Sequence, residues 1–163
     1  MKKFELTNEF IANRFGTKLF RIRALVEFGD VEAGELGGYV EKESNLGHDD
    51  NAWVYGNARV YGDAQVSGDA RVCGDARVCG NGDYAYAHGF GSVNRTTTFF
   101  RLKDGGVGVR CGCFYGTLAQ FRDKIRETHG ETKKAQEYLM LADLMELRFE
   151  EDENEVGNRK YVE

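Results

Sequence analysis

The sequence predicts a mainly β protein: a parallel β-helix of six-residue repeats, with an N-terminal β cap and a C-terminal β-hairpin followed by two α-helices. Three observations carry this prediction. From Asn51 to Gly80 the chain reads NAWVYG NARVYG DAQVSG DARVCG DARVCG, so valine recurs at 54, 60, 66, 72 and 78. Alanine (52 to 76) and glycine (56 to 80) keep the same step. Before the repeats, KLFRIRAL alternates polar and apolar residues; after them, an Asp104-Gly105 turn separates two β-rich runs and two helix-capping threonines follow.

A period of six is neither a helix nor plain strand alternation; it is a short strand plus a turn. One aliphatic residue per repeat points inward, and its neighbours point outward because side chains alternate along a strand. Gly with Asp or Asn, as in Gly62-Asp63, suits the turn, and a small Ala suits the corner. Three repeats close a triangular coil, so each residue stacks on the one eighteen later: Val54 under Val72, Val60 under Val78. No repeat buries its apolar side without neighbours above and below.

Four domain segments are expected. Residues 1–35 form a β cap, in which the alternating run Lys18–Leu25, preceded by a turn at Gly16, makes a hairpin over the open end of the coil. Residues 36–92 form the repeat body. Its first coils are degenerate: Val40 and Leu46 keep the step, with Ser44 in the small slot, but Leu46 to Val54 is eight residues, so two extra residues bulge near His48-Asp49-Asp50. Past Gly80 the pattern decays, with Tyr84 inward and His88 and Phe90 in place of Ala and Val, which predicts a plug at the end of the stack.

Residues 93–150 form the C-terminal module. TTTFFRLK and GVGVRCGC flank the turn at Asp104-Gly105. Thr117 with Gln120 is a capping box for a first helix with an apolar stripe of Leu118, Phe121 and Ile125, ended by Gly130. Thr132 caps a second helix to about Phe149, with Tyr138, Leu139, Ala142, Met145 and Phe149 on one side. Residues 151–163 are expected to be an acidic, mobile tail.

The net charge of −5 argues against general affinity for nucleic acid or anionic membrane. No apolar run is long enough to span a bilayer, and the start MKKFELTNEF has no signal-peptide h-region. The four cysteines read as free thiols of a cytoplasmic protein; Cys73 and Cys79 fall on different faces of a coil. Charge is uneven: residues 1–26 hold six basic and two acidic side chains, residues 27–50 one basic and eight acidic. The two segments are expected to lie close and pair, against the bland reading that both are solvated surface.

The V-x-G-[DN]-A-x units that begin at Val54, Val60, Val66 and Val72 resemble the hexapeptide-repeat superfamily, whose fold is a left-handed parallel β-helix. The left hand is implied by that resemblance. The whole chain is also similar to small phage and prophage proteins of Gram-positive bacteria, through KLFRIRALVEFGDVEAGELGGYVEKESNL, the repeats and TTTFFRLKDGGVGVRCGCFYGT.

The superfamily suggests two chemistries. Its γ-class carbonic anhydrases bind zinc through three histidines, two of them close in sequence. His48, His88 and His129 are too widely spaced for that pattern, so no metal and no cofactor are expected. Its acyltransferases use a histidine base. His48, in the bulge, and His88, in the last coil, are the weak catalytic candidates, against the reading that both are surface or corner residues. Cys111-Gly112-Cys113 places two thiols on one strand face, expected to be buried against the C-terminal helices.

The outer coil faces carry the main site expectation. Trp53, Tyr55, Arg59, Tyr61, Arg71 and Arg77 all flank inward valines, and stacking brings Trp53 to Arg71 and Arg59 to Arg77. Guanidinium groups take phosphate, and aromatic rings stack on bases. The bland alternatives are pairing of Arg with Asp63, Asp69 or Asp75, and contact between subunits. An exposed Trp53 needs cover from another subunit, a host partner or a stacked base. The expected function is a non-catalytic phage protein, a dimer or trimer that sequesters an anionic host ligand such as a nucleotide or blocks a host protein. The alternatives are a hexapeptide-type acyltransferase and a structural assembly module.

Overall fold

In the computed structural model, residues 2–91 and 95–150 are described; the expected tail at 151–163 lies outside them. The chain is mainly β with two helices. It opens with strands β1 (Phe4–Ala12) and β2 (Lys18–Ala24), an antiparallel hairpin turned at Gly16 with φ of 82°. Strand β3 (Leu36–Val40) pairs antiparallel with β2.

The repeats follow as two-residue strands: β4 (Trp53–Val54), β5 (Arg59–Val60), β6 (Arg71–Val72) and β7 (Arg77–Val78). Their pairing is parallel. Trp53 lies opposite Arg71, Val54 opposite Val72, Arg59 opposite Arg77 and Val60 opposite Val78. This is the eighteen-residue coil read from the repeats. One coil earlier the step is twenty: Val40 lies opposite Val60, and Leu46 bridges to Val66. The two inserted residues at 48–50 account for the difference.

The interior is built as the period requires. Val40, Val54, Val60, Val66, Val72 and Val78 are all fully buried, and so are the corner alanines. Buried Asn45 fastens the bulged coil. Its side-chain oxygen accepts from the amides of Glu41 and Lys42, and its amide donates to the carbonyls of Gly62 and Ala64. All its polar capacity is satisfied, which makes its burial tolerable.

The N-terminal hairpin joins the coil edge, giving one mixed five-stranded sheet in the order β1-β2-β3-β5-β7. The other end differs from the expected plug. Tyr84–Phe90 is a strand, β8, which pairs antiparallel with β9 (Arg95–Arg101). Strands β10 (Val107–Cys111) and β11 (Phe114–Thr117) complete a four-stranded antiparallel sheet. So His88 sits on a sheet strand, in register with Thr96, and not in a last coil. Sequence pattern could not separate a decaying repeat from a new strand because both show apolar residues at even spacing.

Strand β9 divides the molecule. Phe100 and Leu102 join the coil core, whereas Phe99 joins the helix core. Helices α1 (Leu118–His129) and α2 (Lys133–Phe149) begin at the expected caps, Thr117 and Thr132. Leu118, Phe121 and Ile125 of α1 meet Tyr138, Ala142, Met145 and Phe149 of α2 against the sheet. Arg122 ties the helices through Asp143 at 2.8 Å and Glu146 at 3.0 Å. Among the described residues no helix is long and apolar enough to cross a membrane.

Candidate functional site

The six outward residues do not form one open surface. Trp53 does point away from the coil interior, but it is 0% exposed. The N-terminal hairpin and its following loop fold over it. Phe4 meets the ring edge-on at 6.3 Å, Phe28 at 5.2 Å, and Gly37 leaves the space its indole occupies. Alternation sets the direction of a side chain and says nothing of what lies there. The expected cover by another subunit or a stacked base is therefore supplied by the chain itself. Tyr61 is buried in the same way against Leu19 and Tyr39, and Arg77 is buried with its Nη1 donating to the Ala76 carbonyl.

Tyr55, Arg59 and Arg71 remain partly exposed. The Tyr55 hydroxyl donates to Asp30 at 2.9 Å, and Arg71 donates to the other Asp30 oxygen at 3.1 Å. Arg110 reaches across from β10 to cover the Tyr55 ring at 4.4 Å. Burial first, and then the Asp30 hydrogen bond, hold the Tyr55 phenol well above its ordinary range. The acid that pairs with Arg71 comes from the loop at 30, not from the repeat aspartates. The basic-rich segment 1–26 and the acidic-rich segment 27–50 do pair with each other: Lys2 pairs with Glu43 and Lys3 with Asp50.

His48 is an anchor for the N-terminus. Its ring stacks on Phe4 at 4.3 Å, and its Nδ1 accepts the backbone N–H of Lys3 at 3.0 Å. That leaves the proton on Nε2, which lies 3.7 Å from Glu43. The Lys3 ammonium is buried beside it and donates to the carbonyls of Asp50 and Ala52. Burial lowers the Lys3 pKa, with Asp50 opposing. His88 is exposed on β8 with Nδ1 2.8 Å from the Thr96 hydroxyl. Among the described residues no group of three or more His, Cys, Asp or Glu is placed to hold a metal.

The two thiols of Cys111-Gly112-Cys113 are not on one strand face, because the β10–β11 turn falls between them: Cys111 pairs with Phe114 and Gly112 has φ of 60°. Cys111 is half-buried and takes a hydrogen bond from Thr97; Cys113 is exposed. Both nevertheless line one pocket of about 190 Å³ between this turn and α1. Phe114, Phe121 and Ile125 give it an apolar wall, and Arg95, Lys124 and His129 bring cationic or ionisable nitrogen to it. Among the described residues no carboxylate lines it.

Local structure explains how the groups converge. Gly112 has no side chain where the Arg95 guanidinium lies, and Gly91 has none where the Tyr138 hydroxyl lies. A Cβ at either position would collide. His129 stacks on the Tyr138 ring at 5.9 Å. Burial, followed by the hydrogen bond with Cys111, pushes the Tyr138 phenol up, while Arg95 pulls the other way. Among the described residues Arg95 makes no ion pair, and Lys124 has only a long exposed contact of 3.9 Å with Glu127. Sequence reading missed this pocket. Its one visible signal was the cysteine pair; nothing in the spacing of Arg95, Lys124 and His129 joins them.

Comparison with curated proteins finds no match to the chain. The family model described as YdcK Beta solenoid repeat matches residues 52–68 and 64–80. These overlapping stretches are the valine repeats themselves, so this part of the chain is similar to a β-solenoid repeat, wound from the parallel two-residue strands described above.

Proposed function

We propose that the protein is a non-catalytic binding protein that holds a small anionic ligand through the pocket between α1 and the β10–β11 turn. One observation carries the reading: in a chain of net charge −5, Arg95, Lys124 and His129 share a pocket that no carboxylate lines among the described residues. A guanidinium is a rigid fork suited to phosphate, and an ammonium adds a point charge. The wall of Phe114, Phe121 and Tyr138 accepts an aromatic or short apolar body beside the anion. The volume admits the phosphate-bearing end of a nucleotide, with the remainder over the rim. The finer fold reading is a left-handed hexapeptide-type β-helix, supported by the V-x-G-[DN]-A-x units. The biological reading is a phage-encoded homo-oligomer in the host cytoplasm that sequesters a nucleotide signal as a counter-defence, supported by the phage-like sequence stretches.

The test is a thermal-shift titration with inorganic phosphate, nucleotides and acyl-CoAs. A ligand bound only by the folded state raises the melting temperature with concentration. The expected result is stabilisation by a phosphorylated ligand that is lost in Arg95→Ala and weakened in Lys124→Ala. Stabilisation by none of these compounds, or equal stabilisation of both variants, overturns the reading.

A further inference from the structure

The four cysteines are all free thiols, and they sit in different surroundings. Cys73 is buried, and burial pushes its thiol up. Cys79 is half-buried, and its Sγ donates to the Asp83 carboxylate at 3.2 Å. Cys111 is half-buried on β10; the buried Thr97 hydroxyl donates to its Sγ at 3.3 Å, and the Tyr138 hydroxyl lies 3.7 Å from it. Cys113 alone is exposed, in the turn between β10 and β11, and its sulfur has no hydrogen-bond partner among the described residues. It also lies in the cationic pocket, which it lines together with Arg95, Lys124 and His129. The Arg95 guanidinium rests against Gly112, the residue between Cys111 and Cys113. The chain's most accessible thiol and its anion-seeking nitrogens therefore share one space.

We infer that Cys113 is a covalent capture site for small disulfides of net negative charge. The inference rests on the anion-binding reading above and names what the same pocket does with one class of anion. Arg95 and Lys124 hold the carboxylates of the incoming disulfide, the guanidinium fork being matched to a carboxylate. Phe114 and Ile125 take its aliphatic body. The Cys113 thiolate, its proton given to solvent, attacks the nearer sulfur. The S–S bond of the ligand breaks as the new bond to Cys113 Sγ forms. The departing half leaves as a thiolate and takes up a proton. One half is then bonded to the protein and the other is reduced to its thiol, so the disulfide itself is the oxidant and no other is needed. The mixed disulfide is the end product, because the Cys111 sulfur is engaged by Thr97 and Tyr138 and does not displace the captured half.

The test gives the reduced full chain glutathione disulfide as the anionic probe, hydroxyethyl disulfide as the neutral one and cystamine as the cationic one. Intact mass gives the rates and peptide mapping gives the sites. The same chain unfolded in urea supplies the intrinsic reactivity of each probe. After that normalisation, Cys113 is expected to take up glutathione at least about fivefold faster than the neutral probe, the effect of one close unit-charge contact in water, and cystamine more slowly than either. Cys79, whose thiol faces a carboxylate, is expected to show no anionic preference. Arg95→Ala should abolish the preference at Cys113 and Arg95→Lys should keep most of it. Cys113→Ser should lose this adduct with an unchanged melting temperature, because the side chain touches solvent. Equal normalised rates for the three probes, a preference untouched by Arg95→Ala, or a Cys111–Cys113 disulfide in place of the adduct each overturn the inference. If inorganic phosphate still stabilises Cys113→Ser in such a case, the anion site stands and only the covalent step falls; without that stabilisation the anion reading falls as well.

Discussion

Replacing Trp53 with alanine separates the two readings of the coil surface. A ring on an open face would be lost at little cost to folding; the structure makes it part of the core. A tryptophan buries on the order of 200–250 Å², which at about 25 cal/mol per Å² amounts to roughly 5–6 kcal/mol as an upper bound. Against this, the buried Trp53 Nε1 has no hydrogen-bond acceptor among the described residues. An unsatisfied buried donor costs about 1–3 kcal/mol, and truncation removes that cost. The expected net loss is therefore about 3–4 kcal/mol, inside the range for large-to-small core changes. Trp53→Phe keeps most of the volume, drops the orphaned N–H, and should lose only about 1 kcal/mol. Urea unfolding followed by circular dichroism measures both. The chain has one tryptophan, so its fluorescence gives a second readout: native emission should be blue-shifted from that of the unfolded chain. A Trp53→Ala variant within about 0.5 kcal/mol of the parent, or native emission like that of free tryptophan, would refute the burial argument.

Four further outcomes are expected. Val72→Asp places an unpaired charge in the coil interior, where Val72 is fully buried, and should unfold the protein or cost several kcal/mol; a soluble variant that melts normally would contradict the inward assignment. Gly74→Ala meets both a backbone at φ of 64° and the Tyr115 hydroxyl, so it should destabilise by about 1–3 kcal/mol in urea unfolding. The parent protein should show no acetyl-CoA or succinyl-CoA turnover, since His48 is committed to Lys3 and Phe4 and His88 to Thr96; acyl transfer that disappears in His48→Ala or His88→Ala would sink the non-catalytic reading. The hydrogen bond from Arg21 holds the Glu9 carboxyl below its ordinary value of 4.5. A depressed folded pKa stabilises above the unfolded value and is lost as pH falls through the folded one. The melting temperature of wild type should therefore exceed that of Glu9→Gln at neutral pH and converge with it below the ordinary carboxylate range.

What the sequence determined by itself was whatever is written in local spacing. The six-residue valine step set the eighteen-residue coil, and two extra residues between Leu46 and Val54 showed where a coil would bulge. Thr117 with Gln120, Gly130 and Thr132 marked the helix ends, because a cap is satisfied within one turn by its own neighbours. Tertiary structure decided what covers each outward residue. Trp53 and Arg71 lie opposite each other on adjacent strands as the period requires, yet one is sealed beneath Phe4 and Phe28 and the other reaches Asp30. The same holds for the pocket. Arg95, Cys111, Lys124 and His129 come from two strands and a helix that meet because Phe99 carries the helix pair on the far side of β9. Such contacts join segments distant in the chain, and no residue's own neighbours encode them. A period or a cap is a property of a few consecutive residues; a covered face or a shared pocket is a property of the assembled chain.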